Sequence, residues 1–151
     1  MHKIFTIAVT IALTLSLTAC EGPTVFMSGG ELSGTVVATP EKWQLAKDSD
    51  LAQLETRPED PYSINLVYIQ MNERMYIYAG DTRTNWVQHI EQNPLVRLRI
   101  EEEIYPARAV RITDPDEIVA FAAEWTSRSI FQRDPLQFEE VWLYHLEPVK
   151  T

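Results

Sequence analysis

From residue 35 onward, apolar and polar positions alternate with the two-residue period of β-strands, which predicts about seven strands. Turn residues separate the apolar runs, and the sequence PEDP at 58–61 is the clearest of these breaks. The pair Asn72-Glu73 predicts a hairpin, and so does the acidic triplet at 101–103. The predicted strands are, in order, GTVVAT, LAQLETR, YSINLVYIQ, RMYIYA, PLVRLRI, IYPARAVRIT and VWLYHLEP.

Helical spacing is confined to two segments. Asp114-Pro115 is a helix start, because Asp is a good N-cap and Pro fits the first helical position. The apolar residues behind it recur at three- and four-residue spacing and are expected to face the core: Ile118, Phe121, Ala122 and Trp125. A second helix is predicted from Arg83 to Gln92. Many hairpins with few helices favour a closed or nearly closed antiparallel barrel.

The hairpin at the acidic triplet also allows a prediction of register. If the turn is centred on Glu102, even-numbered residues of both strands share one face. That face is apolar except for Arg108, which is then expected beside a buried anion or a carboxylate of a partner subunit. A bulge at Pro106 would reverse this arrangement.

The first nineteen residues are predicted to be a signal peptide, because one lysine precedes an apolar run that is too short to span a bilayer stably. The run ends in LTAC, which resembles the lipobox of bacterial lipoproteins. Cys20 is the only cysteine in the chain. The resemblance implies cleavage before Cys20, lipidation of its sulfur and anchoring of the protein to a membrane of the cell envelope. By analogy with the enterobacterial sorting rule, Glu21 at the next position favours the outer membrane of a Gram-negative cell, facing the periplasm.

Charge and length limit the remaining functions. Removing Lys3 with the signal peptide leaves 12 basic against 22 acidic residues, and this balance argues against nucleic acid as a partner. The glycine-rich, aperiodic residues 20–34 are predicted to be a lipidated tether. Residues 35–151 are long enough to form one domain with its own core.

The sequence YAGDTRTNW, which begins at Tyr78, places three hydrogen-bond donors where a helix begins. Thr82, Arg83 and Thr84 surround the positive end of the helix dipole, an arrangement that suits a phosphate or another anion. The alternative is that Asp81 or Thr82 merely caps the helix and Arg83 is solvated. Both interpretations remain open from the residues alone.

From about Leu54 to Ile112 the sequence resembles the split β-barrel family, best of all between Trp86 and Pro94. This family includes pyridoxamine-phosphate oxidases and deazaflavin (F420)-dependent nitroreductase-like proteins. The resemblance implies a mainly β, FMN-binding-like split barrel with a few helices. It also implies FMN or F420 as cofactor, a phosphate held by Thr82, Arg83 and Thr84, and a homodimer with cofactor sites near its interface.

Two further residues are candidates for cofactor contacts. Arg57 follows a strand at a place where related proteins often contact the cofactor, although pairing with Glu59 or Asp60 in its own turn is the favoured interpretation. Asn65 lies on the next strand and could reach the edge of a cofactor ring or cap the barrel rim. The histidines lack the spacing of metal ligands, so no metal site is predicted.

Two classes of function therefore stay open. One is a lipid-anchored oxidoreductase whose flavin-type cofactor performs the chemistry, with no catalytic residue assigned. The other is a cofactor-free binding or structural lipoprotein on the same fold, which export favours because a cytoplasmic cofactor would have to be carried out. Haem binding through a histidine has little support in the sequence.

Overall fold

The structure, a computed structural model, describes residues 22–25, 27–46 and 49–150. The predicted signal peptide and Cys20 lie outside the described residues. Within the described ranges, no helix combines the length and the apolar character that crossing a membrane requires.

Seven strands and two α-helices make up the regular structure of the described residues. The strands are β1 Thr35–Val36, β2 Leu51–Thr56, β3 Tyr62–Met71, β4 Arg74–Tyr78, β5 Leu95–Ile100, β6 Glu103–Arg111 and β7 Leu143–Pro148. The helices are α1 Asn85–Gln92 and α2 Pro115–Ser127, and a short 3₁₀ turn covers Pro135–Gln137. These bounds follow the predicted strands and helices closely except at β1, which has two residues where the run GTVVAT predicts six.

Six of the strands form a closed barrel. Neighbouring strands pair in the order β6-β5-β2-β3-β4-β7, and β7 pairs back onto β6, with every pair antiparallel. The prediction of a mainly β barrel is therefore confirmed. The structure differs from the prediction at β1, which lies outside the ring and pairs parallel to β6. No hairpin joins β1 to β6, so no tight turn requires the antiparallel direction.

Two apolar clusters hold the barrel and α2 together. The larger fills the barrel, with Leu54, Ile77 and Leu98 fully buried. The smaller lies between α2 and the outside of the barrel, where Phe121 packs on Tyr76. Asp114 caps α2 as predicted. Phe121 and Ala122 are buried, and Ile118 and Trp125 pack against the smaller cluster, which confirms the predicted face.

Both hairpins are closed by two-residue turns, but the φ angles of the two turns differ. Asn72 and Glu73 both have left-handed φ angles, 50° and 60°, in the predicted turn between β3 and β4. The second hairpin turns on Glu101 and Glu102, with Ile100 paired to Glu103.

The register predicted for the second hairpin is wrong by one residue. Val96 pairs with Ala107, so the odd-numbered residues of β6 line the barrel with the even-numbered residues of β5. Arg108 is consequently exposed rather than buried. The cause is the two-residue turn, because a one-residue change in a turn moves every side chain of one strand to the opposite face.

Part of the segment predicted to be a tether packs on the barrel. We call residues 22–25 and 27–34 the strap. Gly29 exchanges two backbone hydrogen bonds with Ser63 of β3, each of 2.9 Å. Leu32 is 2% exposed, and its N–H donates to the buried carboxylate of Glu55 at 2.5 Å. Arg97 of β5 donates to the Leu32 carbonyl at 3.1 Å and to the same carboxylate at 3.0 Å. The strap therefore covers the outer face of β2, β3 and β5.

Candidate functional site

Helix α1 closes one end of the barrel. Trp86, Val87 and Ile90 point into the barrel core, which holds the helix across the opening. The helix begins at Asn85, and the Thr84 hydroxyl caps it by accepting from the Val87 N–H. Neither Asp81 nor Thr82 is the cap, so that part of the alternative interpretation is corrected.

The donors of the predicted anion turn are engaged within the chain. The guanidinium of Arg83 binds the Glu91 carboxylate through Nε at 2.6 Å and Nη2 at 2.5 Å. The Thr82 hydroxyl donates to Asp81 at 3.3 Å. Arg83 spans two helical turns to reach Glu91, and the pair remains largely exposed to solvent.

Arg57 lies at the same end of the barrel, in the turn between β2 and β3. Its guanidinium pairs with Asp60 at 3.1 Å and stands 5.7 Å from the centre of the Tyr62 ring. Tyr62 packs edge-on against His89 of α1, with ring centres 4.9 Å apart. Burial, and then the charge of Arg57, lowers the pKa of His89. Arg57 is therefore linked to α1 through these two rings.

A third arginine reaches this end from the opposite wall, where β6 ends and β7 begins. The Arg111 guanidinium lies 3.6 Å from the centre of the Trp142 ring, a close cation–π contact. Arg111 is also the cross-strand partner of Tyr144, whose ring packs on Trp86 of α1 at 6.0 Å. The sequence analysis missed this group.

Three buried donors in this group have no hydrogen-bond partner among the described residues: Arg111 Nε, Trp142 Nε1 and the Tyr144 hydroxyl. Burial raises the pKa of Tyr144 to about 12, so its hydroxyl keeps its proton at neutral pH. Buried donors are normally satisfied by protein, water or a ligand. Three together suit a hydrogen-bond acceptor.

Electrostatics connects the two walls. The positive charges of Arg111 and Arg83 both act on the Tyr144 phenol and oppose the effect of burial on its pKa. The side chains of the α1 turn and of the β6–β7 wall therefore surround one region. We call it the helix-capped end and define it by five residues: Arg57, Arg83, Arg111, Trp142 and Tyr144.

Asn65 does not join the helix-capped end. Its amide donates to the Thr24 carbonyl of the strap at 2.7 Å and accepts from Gln53 at 3.3 Å. The structure therefore brings Thr82, Arg83, Thr84 and Arg57 to one end of the barrel and places Asn65 on the face beside the strap.

A cavity of about 370 Å³ adjoins the turn before α1. Gly80 and Asp81 form one side of it, and Trp125 and Phe131 form another. Its volume falls within the range of small-molecule sites, roughly 300–1,000 Å³. The turn thus borders both a cluster of arginines and a space of suitable size for a ligand.

No family model and no curated protein matches this sequence. Solved structures do match the arrangement of its strands. A proposed pyridoxamine 5′-phosphate oxidase from Listeria innocua aligns over 67% of this chain and 85% of its own, with a TM-score of 0.53 and 11% identity. The haem storage protein HutZ of Vibrio cholerae aligns over 69% and 84%, with a TM-score of 0.53 and 18% identity. The fold is the split β-barrel of pyridoxamine-phosphate-oxidase-like proteins.

Another similar split barrel is an FAD-binding protein from Mesorhizobium loti. It covers 68% of this chain and 81% of its own, with a TM-score of 0.52 and 12% identity. Identities this low show the shared fold alone, because one fold supports several functions. The site must therefore be judged from the residues of this split barrel.

The residues of this split barrel fit a phosphate-bearing ligand once Arg83 leaves Glu91. The Arg83–Glu91 pair is exposed, and exposed ion pairs contribute only about 0.2–1 kcal/mol. A phosphate that two guanidinium nitrogens bind at once can therefore displace Glu91.

Proposed function

We propose that this protein is a lipid-anchored envelope protein whose split barrel binds a flavin-type cofactor, FMN or F420, at the helix-capped end. The observation that carries the proposal is the set of three buried donors without partners, beside Arg83 and beneath α1. The fold adds support, since one similar structure is an FAD-binding protein and another is a proposed pyridoxamine 5′-phosphate oxidase.

Each residue of the site has a separate role in this proposal. Arg83 binds the phosphate together with the hydroxyls of Thr82 and Thr84, and Arg57 adds positive charge from the β2–β3 turn. Trp142 and Tyr144 donate to acceptor atoms on the ligand. When bound, such a cofactor supplies hydride chemistry, and the chain supplies binding and orientation. Oxidoreductase activity is thus part of the proposal, without an assigned acid or base.

The anchor is the second part of the proposal. Residues 1–19 act as signal peptide, and a lipid on Cys20 holds the barrel at the outer membrane, facing the periplasm. Each anchored molecule pairs with a second copy to form a homodimer. A small-molecule substrate is the remaining partner, and the acidic chain disfavours nucleic acid.

The cofactor-free alternative also rests on an observation. Arg83 and Arg57 each already have a carboxylate partner, Glu91 and Asp60, so the described turns are neutralised without a ligand. On this account the barrel serves as a binding or structural module. Replacing each member of the Arg83–Glu91 pair in turn separates the two proposals. Only at a phosphate site should loss of Arg83 weaken ligand binding while loss of Glu91 strengthens it.

The test is a titration of FMN and of F420 into the purified protein, followed by fluorescence at fixed ionic strength. Arg83→Gln should weaken binding by about one to two decades, since a charge-assisted contact is lost. Glu91→Gln should tighten binding, because it frees Arg83 and removes a negative charge. Arg128→Gln is the matched control, as Arg128 is another paired surface arginine, bound to Glu124.

The outcomes are distinct. Opposite effects of Arg83→Gln and Glu91→Gln, with no effect of the control, support the phosphate site. Equal binding in all variants shows that Arg83 serves only its ion pair. If the wild-type protein binds neither compound, the cofactor-free account is the better one.

A further inference from the structure

The outer face of β2 and β3 beside the strap carries exposed apolar side chains. Leu51 and Val67 are direct cross-strand partners on this face, and 64% and 36% of their surfaces are exposed. The strap adds Val25 and Met27, which are more exposed still. This part of the strap lies close to Val67, because the carbonyl of Thr24 accepts a hydrogen bond from Asn65, which is two residues before Val67. We call these four side chains the apolar face: Val25, Met27, Leu51 and Val67.

The loop after α2 begins at the border of the apolar face. Arg128 at the end of α2 binds the carboxylate of Asp50, the residue just before Leu51. Ile130 and Phe131 follow within three residues and are almost completely exposed. Apolar surface grouped in this way on a protein marks an interaction site.

The first described residues of the strap contact the outside of the barrel beside the same face. A Cβ added at Gly22 would lie 4.0 Å from the side chain of Gln53, which neighbours Leu51 on β2 and Asn65 on β3. Any side chain at Gly29 would lie 2.3 Å from the backbone of Gly22, so the strap holds this entry point closely. Cys20 is two residues from Gly22, a reach of at most about 7 Å. A lipid on Cys20 would therefore be attached two residues from this edge of the apolar face.

We propose that the apolar face lies on the lipid bilayer, with its four side chains at the boundary between headgroups and acyl chains. This inference rests on the proposed lipid anchor at Cys20. Arg99 lies beside this face, but its charge is not left unpaired against the bilayer, because its guanidinium already donates to Gln53 and Glu102.

The position of the proposed anchor favours the bilayer over a second copy of the protein as the partner of the apolar face. The proposed anchor is attached within about 7 Å of backbone from Gly22 and so keeps the membrane near the face, whereas a second copy must arrive by diffusion. Contact through apolar side chains also does not depend on positive charge, which suits a chain with a net charge of -9. Zwitterionic lipid is accordingly sufficient.

The experiment uses the acylated protein on vesicles of phosphatidylethanolamine and phosphatidylcholine that contain a spin-labelled quencher lipid. Because lipidation consumes the only native thiol, Leu51→Cys and Val67→Cys each offer one site for an environment-sensitive dye. Val119→Cys on α2 is the matched control, an exposed valine that lies beside Pro135 and Leu136. We expect a blue shift and several-fold stronger quenching at positions 51 and 67 than at 119.

Flotation of each variant with the vesicles separates this inference from the anchor itself. If wild-type protein does not float and Cys20→Ser behaves the same, the lipid anchor is absent and the proposed function fails in that part. If the protein floats but the dye at 51 and 67 is quenched no more than at 119, the apolar face does not meet the bilayer. Shielding at 51 and 67 that appears without vesicles and grows with protein concentration means that a second copy covers the face, which also overturns the inference.

Discussion

His145 makes the stability of this barrel sensitive to mild acid. It is 9% exposed on β7, and burial lowers its pKa below the ordinary value of 6.5. The nearby charges of Glu147, Arg74 and Glu117 act on it less strongly than burial does. Below about pH 6.5 the unfolded chain therefore binds more protons than the folded chain, and the free energy of unfolding falls as the pH falls.

This gives a prediction for a single residue. His145→Gln should remove part of the loss of stability between about pH 7 and pH 5.5, while His89→Gln removes a smaller part because His89 is less buried. Denaturant midpoints measured across that range check the slopes. Parallel curves for wild type and His145→Gln would mean that His145 titrates alike in both states.

At this scale the candidate site was only partly predictable. Arg83 could be placed at a helix start, because caps and donors are local features of sequence. Its partner Glu91 is eight residues away, and no local rule selects it over water. Arg108 was assigned to the buried face, and Arg111 was not singled out, because a one-residue error in the turn changed the face of every residue of β6. The site residue of this strand is Arg111. Its contact with Trp142 depends on two strands far apart in the chain.

Among the elements, the strap differs most from its prediction. A glycine-rich segment without periodicity indicates a tether, yet Leu32 is buried against Glu55 and Arg97. Those partners lie 23 and 65 residues further along the chain. Such packing cannot be derived from local pattern, whereas the strands and helices, which satisfy most of their hydrogen bonds nearby, were found within a few residues.

The strap yields a stability prediction with an internal control. Leu32→Ala should lower the free energy of unfolding by about 2–5 kcal/mol, the usual loss for a buried leucine. Val25→Ala on the same segment should change it little, because 81% of Val25 is exposed. Urea unfolding of both variants is the measurement. A midpoint for Leu32→Ala equal to that of wild type would mean that the strap is a free tether that does not pack on the barrel.

For the whole molecule, alternation and hairpin turns specify three of the six strand pairings of the ring, β2–β3, β3–β4 and β5–β6. The pairing of β6 with β7, which closes the ring, joins segments separated by α2 and followed from the fold class rather than from any motif. The parallel placement of β1 had no signal, since two residues carry no periodicity.

The assembly of the molecule is the last prediction. Protein purified without signal peptide and lipid should sediment as a homodimer, as the resemblance to split barrels implies. Sedimentation velocity over a range of concentrations decides this, with Phe131→Asp as a probe of the exposed loop after α2. A single monomeric species at every concentration contradicts the homodimer.

The short strand β1 has a consequence for crowding on a surface. Each strand of the six-stranded ring pairs on both sides over part of its length, and β1 adds an edge that is only two residues long. Strand addition, the route by which sheets join into fibres, needs a longer row of unpaired N–H and C=O groups. Molecules concentrated side by side in a membrane plane would therefore find little backbone to extend, and this barrel can be displayed densely without polymerising edge to edge.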